Sequence, residues 1–159
     1  MWMMGDFSPA RHLLSRRRER APLPSPPQRP RRPPLRIDRL DHLVLTVADV
    51  DRTVDFYSRV LGMDPVSFGS GRRVLTFGTS KINLHQVGHE FEPKAAEPTP
   101  GSADLCMISV DSLDAVLAHL AECGVSVEEG PVQRTGATGP IMSVYFRDPD
   151  GNLVELSNY

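Results

Sequence analysis

The chain has 159 residues, of which 40% are hydrophobic and 6% aromatic, enough for one ordinary domain with a modest core but too few for two domains. No apolar run approaches the roughly 20 residues of a membrane span, so we expect no membrane partner. Cys106 and Cys123 lack metal-finger spacing. They argue against a disulfide scaffold and favour a reducing, cytoplasmic location.

Charge divides the chain into two parts. Residues 1–36 contain nine Arg and two acids, hence +7, whereas the remainder contains nine Lys or Arg and eighteen acids, hence −9. Residues 21–36 read APLPSPPQRPRRPPLR, and such proline density removes backbone donors and forces extended conformations. We therefore predict a disordered Arg/Pro-rich tail over residues 1–36.

Three interpretations of the tail stay open. Residues 10–20 (ARHLLSRRRER) are basic enough for a mitochondrial presequence, which would move the protein to mitochondria. The same segment could be a basic patch for nucleic acid or membrane. We favour an extension without a selected role, and therefore expect no nucleic-acid partner.

The pattern changes at residue 37. Residues 41–47 (DHLVLTV) are rich in β-branched residues and predict a strand. Asp49 or Asp51 can cap the helix that follows, which ends near Leu61 before the cap glycine Gly62. Short strand-like runs follow at 65–67, 73–77 and 81–86.

A polar, proline-rich linker at 88–100 precedes a second series in the same order. A strand at 104–110 leads to a helix that Ser112 can cap and Gly124 ends. Strand-like runs follow at 125–128, 143–146 and 153–157, with a glycine-rich loop at 130–140 and a DPDGN turn at 148–152.

The repeated order predicts an α+β domain over residues 37–159, built from two tandem β-α-β-β-β modules at 37–88 and 102–159. One module cannot bury both faces of its sheet. Two modules can pair into a curved half-open barrel with helices outside. The concave side of that barrel is then the expected pocket.

Histidines and acids of the strands are the candidate site residues. Alternation turns His42 toward the concavity, and His85 and Glu155 lie on the last strands of the two modules. We expect His85 and Glu155 to be equivalent positions of the duplication. For His42, counting back from the cap glycines selects Asp104 as the equivalent, whereas counting from the helix starts selects Leu105; we favour Asp104.

A set of two imidazoles and one or two carboxylates suits Zn²⁺, Fe²⁺, Ni²⁺, Co²⁺ or Mn²⁺. The predicted metal ligands are His42, His85, Asp104 and Glu155. Glu155 is also the predicted catalytic residue, because a ligand carboxylate can exchange protons. The alternative is structural: a strand histidine is often only hydrogen-bonded, and a buried glutamate can pair with an arginine. Other candidate pocket or structural groups are Tyr57, Arg73, Arg134 and Arg147.

Residues 41–63 (DHLVLTVADVDRTVDFYSRVLGM) and 144–159 (VYFRDPDGNLVELSNY) resemble the opening and close of vicinal-oxygen-chelate proteins, the glyoxalase/bleomycin resistance/dioxygenase superfamily. The middle, INLHQVGHEFEPKAAEPTPGSADLC, resembles the subgroup named glyoxalase domain-containing protein 5. The resemblance implies ligands at His42, His85 and Glu155, with Asp104 where active relatives usually have histidine.

The resemblance implies a metal-dependent lyase, isomerase or transferase acting on a small oxygen-rich substrate, with glutathione or another thiol as a candidate partner. Lactoylglutathione lyases of the family build their sites across two domains, so a homodimer is expected. The alternatives are an Fe²⁺ extradiol-type dioxygenase and a binding module without turnover.

Overall fold

The computed structural model describes residues 35–69 and 71–159. The predicted tail therefore lies outside the described residues, except for its last two positions. The chain divides into Met1–Ile37 and Asp38–Tyr159, and the second unit carries all ten described helices and strands. Within the described part, no helix has the length and apolar character needed to cross a membrane.

The first module has one helix and four strands, in the order predicted. They are β1 (His42–Val47), α1 (Val50–Leu61), β2 (Asp64–Phe68), β3 (Arg72–Phe77) and β4 (Ser80–Gln86). Helix α1 begins after Asp49, whose carboxylate accepts a hydrogen bond from the backbone N–H of Arg52. It ends at Gly62, where a φ of 64° gives the left-handed conformation that glycine adopts without strain.

The second module repeats that order with different lengths. It comprises β5 (Asp104–Ile108), α2 (Leu113–Glu122), β6 (Val127–Thr135), β7 (Pro140–Arg147) and β8 (Leu153–Asn158). Ser112 caps α2 by accepting from the backbone N–H of Ala115, as the sequence predicts.

The prediction of a loop at 130–140 is wrong for its first half. Strand β6 continues to Thr135, and its pairing with β7 contains two register shifts. At Gly130 in this irregular stretch φ is 117°, and a Cβ there would lie 2.5 Å from the carbonyl oxygen of Ser143. Glycine therefore permits the strand to continue past the bulge.

Each module forms its own four-stranded mixed sheet, with strand orders β1-β4-β3-β2 and β5-β8-β7-β6. Within each sheet the first strand pairs in parallel with the last, and the other pairs are antiparallel. The predicted α+β fold with two β-α-β-β-β modules is confirmed, and its curved sheets are not closed barrels.

Apolar side chains bury one face of each sheet against the helices. Leu45 and Val47 of β1 pack with Val54 and Tyr57 of α1 in the first core cluster. Val60, also on α1, belongs instead to the second cluster, together with Leu120 and Phe146 and other residues of the second module. Helix α1 thus contributes to both cores and holds the modules together. The opposite face of each sheet carries the candidate site residues.

Candidate functional site

The inner face of the first sheet carries His42, Val44, Asn83 and His85. Register places Val44 opposite Asn83 and Thr46 opposite His85 in the parallel β1–β4 pair. The Nδ1 atom of His42 lies 2.8 Å from Oδ1 of Asp41. A neutral ring that donates Nδ1–H to this carboxylate presents its Nε2 lone pair outward, the arrangement that orients histidine ligands in metal proteins. The same hydrogen bond holds the pKa of Asp41 below its usual value.

His85 lies deeper in the same face. It is 8% exposed, and its ring meets the edge of Phe91 with centroids 5.6 Å apart. Burial is the main cause that lowers the pKa of His85, so the imidazole is neutral near pH 7. Its Nδ1 atom and Oδ1 of Asn83 are buried without a hydrogen-bond partner among the described residues.

The inner face of the second sheet is centred on Glu155. The carboxylate Oε1 accepts hydrogen bonds from Oγ of Ser143 at 2.5 Å and Oγ of Ser157 at 3.0 Å. Burial alone would raise the pKa of Glu155, but hydrogen bonds from Ser143, Tyr145 and Ser157 outweigh it and hold the pKa below its usual value. Glu155 is therefore an anion near neutral pH.

Strand register allows the positions of the two modules to be compared. When the first pairs of the two parallel ladders, His42 with Lys81 and Asp104 with Leu153, are matched, Asn83 corresponds to Glu155 and His85 to Ser157. A match shifted by two residues keeps every side chain on its face and pairs His85 with Glu155. The equivalence of His85 with Glu155 therefore stays a prediction.

The strand faces distinguish Asp104 from Leu105. His42 and Asp104 are the first residues of β1 and β5, and Cys106, two residues after Asp104, pairs with Glu155. Asp104 therefore shares a face with Glu155, whereas Leu105 belongs to the opposite face. The assignment of Asp104 as the counterpart of His42 stays a prediction, which its place at the start of β5 supports.

The structure does not bring the four predicted ligands together within one chain. His42 lies opposite Lys81, four residues from His85, which separates the two along the strands by about 13 Å. An ion of the zinc type lies only about 2 Å from a ligating nitrogen. Across residues 35–69 and 71–159, no three His, Cys, Asp or Glu side chains form a group able to hold a metal ion. His42 therefore lies on the first sheet, whereas Asp104 and Glu155 lie on the second. Among the described residues, neither sheet carries a complete set of metal ligands.

The remaining candidates have structural partners. Tyr57 is fully buried and donates to Oδ2 of Asp148 at 3.0 Å. Arg73 pairs with Asp51 of α1 at 2.8 Å. Arg147 pairs through two nitrogens with Glu128. Only Arg134 lies beside the second inner face, where it donates to the hydroxyl of Tyr145 at 3.2 Å.

The predicted site left out several polar residues of the inner faces, including Asn83, which alternation already placed on the face of His85. They are Arg72, Asn83, Cys106, Ser143, Tyr145 and Ser157. Stepping by two residues from His85 and Glu155 finds Asn83 and Ser157. Arg72, Cys106, Ser143 and Tyr145 lie on neighbouring strands. Their relation to the site depends on how those strands are aligned, which cannot be read from the sequence.

Two tandem β-α-β-β-β modules with histidine and carboxylate side chains on their inner faces define the vicinal-oxygen-chelate class of protein. Residues 39–156 match the family model described as Glyoxalase/Bleomycin resistance protein/Dioxygenase superfamily. The chain therefore belongs to this superfamily. The narrower resemblance to glyoxalase domain-containing protein 5 stays a prediction.

Similar proteins come from distant organisms. The chain is 58% identical over 123 residues to virulence protein STM3117 of Salmonella typhimurium, covering 77% of this chain and 85% of that protein. It is 60% identical over 125 residues to glyoxalase domain-containing protein RDO1 of Mycosarcoma maydis, covering 79% and 70%. A solved integron cassette protein from the mobile metagenome of V. cholerae has a TM-score of 0.77 at 59% identity, covering 79% of this chain and 98% of that one.

Proposed function

We propose that this protein is a metal-dependent lyase, isomerase or transferase of the glyoxalase type, which acts on a small oxygen-rich substrate at a site shared by two copies of the chain. One copy would supply His42, and its partner would supply Asp104 and Glu155. The observation that carries this proposal is the matched position of His42 and Asp104 at the starts of β1 and β5, with the ionised carboxylate of Glu155 on the same face as Asp104.

The donor set fits a divalent cation. Glu155 is anionic, and His42 has a carboxylate partner on Nδ1 and no hydrogen bond on Nε2 to any residue in the described ranges. Imidazole with carboxylates suits Zn²⁺, Fe²⁺, Ni²⁺, Co²⁺ or Mn²⁺. When bound, such an ion supplies Lewis acidity toward neighbouring substrate oxygens.

Because Oε1 of Glu155 is already engaged by Ser143 and Ser157, Oε2 is the oxygen that would bind the cation or, when it is not so bound, exchange a proton with the substrate. Tyr145 stands across the strand pair from Glu155 and can orient the carboxylate. Asp41 fixes the ring of His42.

The site is incomplete within one copy, which supports dimerisation. Strands β1 and β5 are edge strands, and each carries an exposed apolar side chain on its inner face, Val44 at 47% and Ile108 at 52%. Exposed apolar edge strands are surfaces that proteins normally cover. Apposing the first sheet of one copy with the second sheet of another would cover them and complete the ligand set.

Metal content of purified protein tests the ligands. We expect His42→Ala and Glu155→Gln to lose most bound metal in elemental analysis. The exposed residues His89 and Glu97 offer matched controls, and His89→Ala and Glu97→Gln should keep wild-type content. Full metal occupancy in both ligand variants would refute the assignment.

A mixing experiment tests whether the site is shared. His42→Ala and Glu155→Gln chains, refolded together in equal amounts, form mixed dimers with one intact shared site. Random pairing of a symmetric dimer then restores about a quarter of the wild-type metal content. A site contained within one chain would recover none. A monomer in sedimentation analysis at micromolar concentration would also exclude the shared site.

The donor set favours a glyoxalase-type lyase, isomerase or transferase over an Fe²⁺ extradiol-type dioxygenase. That chemistry uses two histidines and one carboxylate, and the register separates His85 from His42. Oxygen uptake with catechols after anaerobic iron loading would favour the dioxygenase instead, and absence of metal in native protein would favour a binding module.

A further inference from the structure

A pocket of about 190 Å³ opens on the inner face of the first sheet. Its walls include Val44, Phe68, Arg72, Asn83, His85 and Phe91. This volume is below the roughly 300–1,000 Å³ of pockets for larger ligands. The pocket therefore fits a molecule of few heavy atoms with an apolar part.

Two polar atoms of this pocket lack partners. Nδ1 of His85 and Oδ1 of Asn83 are buried without hydrogen bonds to the described residues. Leaving such atoms unsatisfied costs about 1–3 kcal/mol each, so a ligand that hydrogen-bonds them gains affinity. Because the Asn83 oxygen accepts hydrogen bonds, the ligand must offer a donor such as a hydroxyl group.

Arg72 brings a cation to the same face. Arg73 pairs with Leu84 in the β3–β4 ladder, so Arg72 and His85 follow as neighbours on the inner face. The Arg72 guanidinium lies 4.8 Å from the centroid of the Phe91 ring, whose edge meets His85. No carboxylate of the described residues lies within 4.0 Å of the Arg72 guanidinium.

Two nearby acids pair with a different cation, Lys94. Lys94 lies 3.1 Å from Oε2 of Glu90 and 3.7 Å from Oε1 of Glu92. Glu92 lines the pocket, but its side chain is largely exposed. The guanidinium of Arg72 is therefore available to an anion, and its planar fork matches a carboxylate.

We propose that this pocket is a substrate subsite for small hydroxycarboxylates, in which Arg72 pairs with the carboxylate while Asn83 and His85 hydrogen-bond the hydroxyl group and Phe68 and Phe91 contact the apolar part. The inference deepens the proposed function by naming its substrate class. It also gives His85 a role in substrate binding instead of metal ligation.

Binding to metal-free protein separates this inference from the metal site. Full-length protein is treated with a chelating resin and titrated with 2-hydroxyisovalerate, and amide chemical shifts are followed by NMR. We expect saturable shifts at residues around Arg72 and His85. Removing the hydroxyl group, in isovalerate, should weaken binding about 2- to 10-fold, and neutralising the carboxylate, in 2-hydroxyisovaleramide, about 10- to 100-fold.

Variants identify the responsible residues. Arg72→Gln should weaken 2-hydroxyisovalerate binding about 10- to 100-fold, whereas Arg52→Gln, an exposed change on α1, should not alter it. His85→Phe keeps an aromatic ring against Phe91 and should lower affinity several-fold while leaving the amide spectrum dispersed.

Four results would each overturn the subsite. The uncharged amide or inorganic phosphate could bind as tightly as 2-hydroxyisovalerate, Arg72→Gln could leave the affinity for 2-hydroxyisovalerate unchanged, or 2-hydroxyisovalerate could cause no saturable shifts. Loss of the subsite with retained metal content would leave the proposed function standing. Retained binding with no metal in the native protein would reject the metal-dependent function alone.

Discussion

Tyr57 offers the sharpest test of how the two modules are held together. Its hydroxyl group donates to Oδ2 of Asp148 at 3.0 Å, which joins α1 of the first module to the DPDGN turn of the second. Asn152 donates to the same oxygen through Nδ2 at 2.8 Å, and backbone N–H groups of Asp150 and Asn152 bind Oδ1. The substitution Tyr57→Phe removes one donor and keeps the ring.

The expected cost follows from the burial of both partners. Tyr57 is fully buried and Asp148 is 6% exposed, so water cannot readily replace the lost donor. A hydrogen bond to a charged group contributes about 1.5–3 kcal/mol. For a unit of this size, each kcal/mol lost lowers the Tm by about 4 °C, so the Tm of Tyr57→Phe should be about 6–12 °C lower than that of the wild type.

The same contact predicts a pH dependence. Burial, followed by the charge and hydrogen bond of Asp148, raises the pKa of Tyr57 well above its ordinary value. Above about pH 10 the unfolded chain loses this proton while the folded chain keeps it, so stability falls as pH rises. Tyr57→Phe should remove this part of the alkaline loss.

Thermal and urea unfolding of the full chain, followed by circular dichroism, provides the assay. Tyr159→Phe is the matched control, because Tyr159 is 60% exposed, and it should shift stability by less than about 1 kcal/mol. A Tyr57→Phe protein within about 0.5 kcal/mol of wild type would refute the idea that this buried contact couples the modules.

Two further predictions concern the core and the loop at 88–100. Leu120→Ala should destabilise the chain by about 2–5 kcal/mol in urea unfolding, because Leu120 is 1% exposed and leaves a cavity; Leu40→Ala, at a 65% exposed position, should be nearly neutral. Hydrogen bonds from the backbone N–H groups of Gly88 and Glu90 and from Lys94 lower the pKa of Glu90 to about 2. The stabilising contribution of Glu90 should therefore be complete above about pH 4.5 and be lost progressively as the pH falls toward 2. A midpoint near 4.5 for the Glu90 carboxyl group in an NMR titration would contradict this prediction.

Local sequence signals were sufficient for much of the fold. Asp49 and Ser112 cap the two helices, and Gly62 ends the first, because capping chemistry acts within a few residues. The repeated order of elements identified two modules. Apolar alternation in β1 also identified its core face, since Leu45 and Val47 are buried against α1.

Predictions were less reliable where distant strands had to align. Irregular pairing with β7 carries β6 through Gly130 and Pro131, where composition alone favours a loop. His85 and Glu155 both lie on the last strand of a module. However, aligning the starts of β1 and β5 matches Glu155 with Asn83, and a shift of two residues along a strand moves a side chain about 7 Å.

By itself, the sequence determined the superfamily, the duplicated α+β fold, the helix caps and the candidate residues His42, Asp104 and Glu155. Only the tertiary structure decided which of these share a face, that Tyr57 joins the modules through Asp148, and that His85, Arg72 and His42 line one pocket. The physical reason is range: capping and side-chain alternation act within a few residues, whereas register and inter-module packing depend on contacts between segments far apart in the chain.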